Sequence, residues 1–258
     1  MNKNQPLFIA HRGESYDAPE NTLAAINLAW EKDADAVEVD VHLSRDGKIV
    51  VIHDNNTWKY NGKFKLVKDQ TLEELQRLDV GKYRGAQWIN ERIPTLEQVL
   101  QTIPGSKCLF IEIKCGSEIV KELKDIIEKS TLQPDQVRLI SCDLDVLKNA
   151  RKIFPEIEIC WVNNIRHLEL VISWQPEILK LIAKTKEANL NGLDLSAIKL
   201  IDESFVNIIK ATGLKLYVWT VNDPLDAKRL TEAGVNGITT NRSQWLKAQL
   251  EKLEIEAL

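Results

Sequence analysis

Two histidines stand where apolar stretches of the sequence end. His11 and His53 each close such a run, and each is followed at once by a charged residue, Arg12 or Asp54. Histidine titrates near neutral pH, so two that converge on acidic groups can act as general acid and general base. A lone histidine in such a place is more often structural. The chemistry therefore depends on whether the fold brings the two together.

Three acidic residues occupy strand-like segments. Glu38 and Asp40 are two residues apart in VEVDV, so they point to one side of a strand while the valines, which we expect to face helices, take the other. The same spacing pairs Glu112 with Lys114 in FIEIK. Converging carboxylates suit a hard divalent cation, Mg²⁺ or Ca²⁺. An internal salt-bridge network with Arg12 and Lys114 would account for the same charges.

Short β-rich runs alternate with helical patterns along the chain. These runs cover residues 7–11, 36–41, 108–114, 137–141, 157–162, 192–196, 214–221 and 237–241. Eight alternations over about 250 residues predict a TIM (β/α)8 barrel, with 1–258 as a single domain. A doubly wound open sheet is the alternative, but the GxGxxG turn of that fold is missing after the first run. Strand ends in a barrel meet at its catalytic face.

One segment after the second strand breaks the alternation. Asp46 and Gly47 lie between two β-rich runs and predict a hairpin, in which His42 would have a supporting role. Residues 55–92 then form an insertion, which in a TIM barrel could cover a site. We expect its aromatic side chains to form a small core of their own rather than to contact a ligand. They are Trp58, Tyr60, Phe64, Tyr83 and Trp88.

The composition limits the classes of partner. With 44% hydrophobic and 28% charged residues the chain is globular, and a net charge of −4 argues against nucleic acid or an anionic membrane as the main partner. The four cysteines lack CxxC spacing and predict buried thiols in a reducing compartment. The short polar N-terminus before the first strand and the lack of any run of about 18 apolar residues lead us to expect no signal peptide and a cytoplasmic protein without stable membrane insertion.

Several motifs, in order, resemble the glycerophosphodiester phosphodiesterase family. They are HRG at 11–13, PENT at 19–22, EVDVHLSRDGKIVVIHD at 38–54, IPTLEQVL at 93–100, IEIK at 111–114, and WTVND to GVNGITTN at 219–241. The resemblance runs along nearly the whole chain. It implies a TIM barrel with a small insertion after strand two. It also implies metal-dependent hydrolysis of a small glycerophosphodiester to glycerol 3-phosphate and an alcohol.

The resemblance also assigns the central roles. By matching motifs, Glu38, Asp40 and Glu112 would hold a divalent metal ion, Mg²⁺ or Ca²⁺. His11 and His53 would be the catalytic pair. We hypothesise that the substrate's own glycerol 2-hydroxyl attacks and gives a cyclic phosphate, which water then opens. Direct attack by water is the competing route.

Supporting roles follow from the same resemblance. Arg12 and Lys114 would bind the phosphate, Glu20 would lie close to the metal and phosphate, and Asn21 would orient its neighbours. By position, Trp219 is a better candidate than Trp161 for a wall of the substrate pocket, although core packing is a close alternative for both. Two further loop charges are expected to be solvated, Glu14 and Asp17.

The chain departs from the family's pattern at two places. HDNNTWKYNGKF replaces the usual Leu-x-Arg-Thr segment after the second histidine, and TTNRSQ replaces Thr-Asp before a proline near the C-terminus. We expect the second change to affect only the last loop.

A related phosphodiesterase acting on lysophospholipids, or one releasing a cyclic phosphate, is an alternative function. A non-catalytic phosphate-binding barrel would need a lost histidine or acid, and all are present.

Overall fold

Eight parallel strands close into a barrel in the computed structural model, which describes residues 5–170 and 173–255. The strands are β1 (Leu7–His11), β2 (Ala36–Leu43), β3 (Ile49–Val51), β4 (Cys108–Ile113), β5 (Val137–Ser141), β6 (Glu158–Asn163), β7 (Gly192–Ser196), β8 (Lys215–Trp219) and β9 (Gly237–Thr240). The barrel runs in the order β1, β2, β4, β5, β6, β7, β8, β9, and β9 pairs with β1 to close it. The TIM-barrel prediction is thereby confirmed.

Helices connect the strands and cover the barrel. Side-chain caps begin several of them; for example, Thr22 Oγ1 accepts a hydrogen bond from the Ala25 amide at 3.2 Å. No helix in the described ranges is long and apolar enough to span a bilayer. The helices are α1 (Leu23–Glu31), α2 (Trp58–Asn61), α3 (Leu72–Gln76), α4 (Leu96–Leu100), α5 (Ile119–Lys129), α6 (Leu144–Ile153), α7 (Gln175–Glu187), α8 (Glu203–Lys210), α9 (Pro224–Ala233) and α10 (Ser243–Ile255).

Alternation along the strands separates two cores. Val37, Val39 and Val41 of β2 belong to the large core between barrel and helices. Phe110 and Tyr217 belong to a smaller core inside the barrel, where their rings meet edge to face at 5.2 Å. Because successive side chains on a strand point to opposite faces, the acids of β2 are directed into the barrel.

The hairpin and insertion follow β2. β3 pairs antiparallel with β2, as predicted, with Val41 opposite Val51. The insertion packs Val67, Leu75 and Val80 into a satellite core with residues that flank it in sequence. The aromatic minicore is therefore wrong in part: Tyr60 packs there, but three other rings are exposed, because aliphatic side chains already fill this small core. These three rings are Trp58, Phe64 and Tyr83.

The prediction of buried thiols holds for half of the cysteines. Cys108 and Cys160 are buried in strands, and Cys115 is half-buried. Cys142 is exposed, since it lies one residue beyond β5, at the barrel mouth rather than within the strand. All four thiols are free.

Gly13 makes the tight turn after β1 possible. Its φ is +79°, and an added Cβ would come within 2.5 Å of the Ala25 carbonyl carbon. Gly47 has a similar φ of +74° in the hairpin, with open space around it. We expect Gly13→Ala to lower the free energy of unfolding by about 2–4 kcal/mol. The overlap of the new Cβ with Ala25 adds to the cost of holding a non-glycine residue at a positive φ.

Gly47→Ala is the matched control for this prediction. It carries the backbone penalty without the overlap, so we expect a loss of about 1 kcal/mol. Urea denaturation of both variants measures the difference. Equal losses would show that close packing against α1 does not constrain this turn.

Candidate active site

A cavity of about 190 Å³ lies at the carboxyl ends of the strands. One side of its wall, from β1, β2 and β4, carries charged groups. The other side, from β5 to β9, is mainly apolar and hydroxylic. The charged side comprises His11, Arg12, Glu38, Glu112 and Lys114, with His53 after β3. Both histidines therefore share one cavity with two of the three acids.

Glu38, Asp40 and Glu112 form a compact carboxylate cluster. One oxygen from each lies within 4.8 Å of the others. Glu38 Oε1 and Asp40 Oδ1 are buried and accept no hydrogen bond from any described residue. Unsatisfied buried carboxylate oxygens are costly, and three oxygens converging at this spacing fit a hard divalent cation.

The cluster is partly neutralised by two cations. Arg12 Nε lies 3.1 Å from Asp40 Oδ2, and Lys114 Nζ lies 3.0 Å from Glu112 Oε1 and 3.6 Å from Asp40 Oδ1. The salt-bridge network considered from the sequence is therefore present. It does not exclude a metal site, because it leaves Glu38 Oε1 without a partner among the described residues.

Protonation in this cluster is uneven. Burial, with Asp40 and Glu112 nearby, raises the pKa of Glu38 well above its usual range. Burial and Asp40 also raise the pKa of Glu112. Burial alone would raise the pKa of Asp40, but Arg12 and Lys114 outweigh it and lower that pKa. A divalent cation would displace protons from the two glutamates, so its binding is coupled to pH.

The first loop holds Arg12 by both its backbone and its side chain. The Arg12 amide donates to Glu38 Oε2 at 2.9 Å, and Nη1 donates to Glu20 Oε2 at 3.1 Å. Glu20 also accepts from Lys59 Nζ at 2.6 Å. Glu20 thus lies between two cations rather than within the carboxylate cluster. Lys59 was missed because no motif links the insertion to PENT.

Asn21 orients Asp40 through two hydrogen bonds. Its Nδ2 donates to Asp40 Oδ2 at 2.8 Å, and its Oδ1 accepts from the Asp40 amide at 3.1 Å. Asn21 has a φ of +57°, a conformation that asparagine tolerates better than most residues. The loop therefore reaches back to fix one carboxylate of the cluster.

The Nδ1 atoms of the two histidines lie next to different partners. His11 Nδ1 lies 2.7 Å from Asn241 Oδ1, and Nε2 lies 4.0 Å from Glu38 Oε2. Burial, with Arg12 nearby, lowers the pKa of His11 to about 4. His53 Nδ1 lies 2.8 Å from Asp54 Oδ1. The Nε2 atom of neither ring forms a hydrogen bond with a described residue.

Two expectations about loop residues are wrong. The TTNRSQ departure was expected to affect only the last loop, yet Asn241 contacts His11, because closing the barrel brings β9 beside β1. Glu14 was expected to be solvated, but it is fully buried and accepts from the amide and hydroxyl of Ser243 at 3.2 and 2.8 Å. Asp17, the other charge expected to be solvated, is half-buried, and its Oδ2 lies 2.5 Å from Lys32 Nζ.

The two tryptophans of the sequence analysis differ in position. Trp219 lines the cavity, and its Nε1 donates to the Asp194 carbonyl at 3.2 Å. Trp161 packs in the outer core, and its Nε1 donates to the Cys142 carbonyl at 3.1 Å.

Asp194 also lines the cavity and was missed, because one acid within GLDLS carries no spacing signal. Burial, with Glu112 nearby, raises its pKa well above its usual range.

Comparison with known proteins agrees with this arrangement. The profile of the glycerophosphoryl diester phosphodiesterase family matches residues 11–244. The chain belongs to this family. It is therefore a phosphodiester hydrolase, and the resemblance seen in the sequence motifs is confirmed.

Individual glycerophosphodiester phosphodiesterases and related proteins are similar to this chain over most of their length. One from Caldanaerobacter subterraneus subsp. tengcongensis is 35% identical over 244 residues, which cover 93% of this chain and 96% of that protein. A structure of an Oleispira antarctica phosphodiesterase in complex with the product sn-glycerol-3-phosphate is 28% identical, with a TM-score of 0.83 over 96% of this chain and 97% of that one. A human lysophospholipase D is 24% identical, and the matched region covers 90% of this chain and 82% of that protein.

Asn21→Gly tests whether the first loop prepares the carboxylate cluster for a cation. Glycine keeps the positive φ but removes both contacts with Asp40. We expect the affinity for Mg²⁺ or Ca²⁺ to fall by about 10- to 100-fold, because groups that orient metal ligands typically contribute that much. Calorimetric titration of each metal into the two proteins measures this change without an activity assay.

Asn90→Gly is the matched control. Asn90 also has a positive φ, +78°, but it lies exposed in the insertion. Its replacement should leave metal affinity unchanged. Equal affinities for Asn21→Gly and the wild type would contradict the assigned role of Asn21.

Proposed function

We propose that this chain catalyses the metal-dependent hydrolysis of glycerophosphodiesters to glycerol 3-phosphate and an alcohol. One observation carries the proposal: a carboxylate cluster with unsatisfied oxygens shares a cavity with Arg12, His11 and His53. A phosphodiester needs its charge neutralised, a nucleophile deprotonated and a leaving alkoxide protonated. The product named for the structurally similar Oleispira antarctica protein, sn-glycerol-3-phosphate, supports this substrate class.

The charged wall provides the phosphate site. Glu38, Asp40 and Glu112 would hold Mg²⁺ or Ca²⁺, which when bound supplies positive charge to the phosphate. Arg12 and Lys114 bind the non-bridging phosphate oxygens. Both cations are already fixed by carboxylates, so little reorganisation is needed when charge increases on the phosphate in the transition state.

His11 is the general base of this proposal. Its Nδ1–H donates to Asn241 Oδ1, so Nε2 has a free lone pair facing the cavity. The lowered pKa keeps the ring neutral near neutral pH. Nε2 takes the proton from the glycerol 2-hydroxyl as that oxygen bonds to phosphorus.

His53 is the general acid. The Asp54 carboxylate beside Nδ1 supplies a counter-charge for an imidazolium ring. His53 gives a proton to the leaving alkoxide as the bond between phosphorus and that oxygen breaks, leaving a cyclic glycerol phosphate. In the second step the roles reverse: His53 takes a proton from water as the water oxygen bonds to phosphorus, and His11 returns a proton to the 2-oxygen as its bond to phosphorus breaks and the ring opens. Protons balance over the two steps.

Hydrolysis of lysophospholipids by the same site is the second candidate function. The human lysophospholipase D relative matches 90% of this chain. The insertion exposes Trp58 and Phe64, 64% and 72% accessible, and the neighbouring Lys59 contacts Glu20 at the edge of the phosphate site. Exposed aromatic side chains at this position suit contact with an acyl chain.

Product release from a substrate panel tests the proposed function. We expect glycerol 3-phosphate from glycerophosphocholine and glycerophosphoethanolamine, loss of release with chelator, and recovery with Mg²⁺ or Ca²⁺, because the phosphate site lacks sufficient positive charge without a cation. Including a lysophospholipid separates the two candidates. Phosphorus NMR of single-turnover reactions detects the cyclic intermediate, and its absence would favour direct attack by water.

Histidine variants serve as controls for the same assay. His11→Ala and His53→Ala should each lower kcat by about a hundred- to ten-thousand-fold while the fold is retained. His167→Ala is matched in chemistry but alters an exposed ring on the turn Arg166–Leu170. Its activity should equal that of the wild type. Full activity in both cavity variants would overturn the catalytic assignment.

The pH profile tests the role of His11 separately. Asn241→Asp places a carboxylate beside Nδ1, which raises the pKa of the ring by favouring the imidazolium. A base with a higher pKa stays protonated to higher pH, so the acid limb of kcat/KM should move up by about one pH unit. Asn222→Asp adds the same charge behind Asn241 and not in contact with the ring, since Asn222 Oδ1 accepts from the Asn241 amide at 2.9 Å. A smaller shift is expected there, and an unmoved limb in Asn241→Asp would contradict the assignment.

A further inference from the structure

Asp194 is a buried acid that the chemistry described above does not use. It is 3% exposed on β7 and lines the same cavity as the two histidines. Its Oδ1 accepts no hydrogen bond from residues 5–170 and 173–255. A buried carboxyl group without a partner costs free energy, so a ligand that supplies the missing hydrogen bond would recover it.

The barrel places Asp194 directly across from Glu38 and Asp40 of β2. β7 is four strands from β2 in either direction around the eight-stranded barrel, which makes the two strands diametrically opposed. In register, Asp194 lies between Val162 of β6 and Tyr217 of β8. Tyr217 directs its hydroxyl away, donating to Glu158 at 2.6 Å. The Asp194 side chain therefore has Val162 and the Tyr217 ring as neighbours on its own wall, and it contributes to the lining of the cavity.

We infer that Asp194 hydrogen-bonds the terminal hydroxyl of the substrate's glycerol moiety and so selects for a glyceryl group. The inference rests on the proposed function. With phosphate held by Arg12 and Lys114, the 2-hydroxyl lies next to phosphorus on the side of His11. The terminal carbon is farthest from phosphorus and extends toward the opposite wall, where Asp194 lies.

The surroundings favour a hydroxyl group over a cation as the partner. Ile140 and Val162 line this part of the cavity, and Trp219 is fixed beside it by its bond to the Asp194 carbonyl. A carboxyl group at this place can accept a hydrogen bond from a hydroxyl in either protonation state. An ammonium group would instead require an ionised acid at this apolar wall.

Two chromogenic esters with the same leaving group test the inference. Glyceryl 4-nitrophenyl phosphate carries both hydroxyls, whereas 2-hydroxypropyl 4-nitrophenyl phosphate lacks only the terminal one. We expect the wild type to prefer the glyceryl ester by at least about 100-fold in kcat/KM, since a site built around a hydroxyl rejects the analogue that lacks it. Asp194→Leu should reduce this preference to less than about tenfold, mainly through the glyceryl ester.

Asp194→Asn is the matched variant, because it keeps the shape and a hydrogen-bonding oxygen. It should retain most of the preference, because the amide oxygen can still accept from the terminal hydroxyl. A purely structural role would not predict that Asp194→Leu affects mainly the glyceryl ester. The Tm of Asp194→Leu should equal or exceed that of the wild type, since an unpaired buried acid is replaced by an apolar group.

The outcomes separate this inference from the proposed function. An active wild type whose preference is unchanged in Asp194→Leu would overturn the inference and leave the function standing. Equal loss of activity toward both esters would also overturn it, because the effect would not depend on the terminal hydroxyl. A wild type inactive toward both esters, with metal present, would overturn the proposed function and the inference with it.

Discussion

The convergence of three carboxylates at one rim of the barrel, two of them buried and one half-buried, is the constraint on which the rest of the site depends. Glu38 and Asp40 are almost fully buried, and isolated charges there would be very costly. Arg12 and Lys114 offset part of this cost, and Asn21 fixes the orientation of Asp40. The remaining unsatisfied oxygens are what make the rim suitable for a cation. The same few contacts thus stabilise the rim and leave the oxygens that would hold a cation.

The first loop carries much of this arrangement because of its backbone. Arg12, Gly13 and Asn21 all adopt positive φ values, which fold the loop back over the ends of β1 and β2. Arg12 can then donate its amide to Glu38 while its side chain reaches Asp40 and Glu20. Such backbone conformations are uncommon outside glycine and tend to occur at functional sites. Here they direct a cation and an amide toward the carboxylates.

The cavity is chemically divided across the barrel axis. Strands β1, β2 and β4 supply the charged groups that suit a phosphate and its cation. Strands β5 to β8 supply Ile140, Val162 and Trp219, a wall that suits carbon, with Asp194 as its one acid in the described lining. A phosphodiester whose phosphate lies against the charged side and whose glyceryl group extends to the other wall would match this division. The insertion adds Lys59 at the charged edge, through Glu20.

The sequence by itself determined the strand and helix alternation, and with it the barrel, because hydrophobic periodicity follows directly from which faces are buried. It also determined that Glu38 and Asp40 share the inner face of β2, since strand parity is fixed by local geometry. Only the tertiary structure decided the partners of these groups. Asn241 meets His11 across 230 residues and Ser243 meets Glu14 across 229. Those contacts exist because β9 closes against β1, and no local pattern encodes which side chains that closure brings together. Asp194 acquires its position opposite the two acids of β2 because the barrel closes.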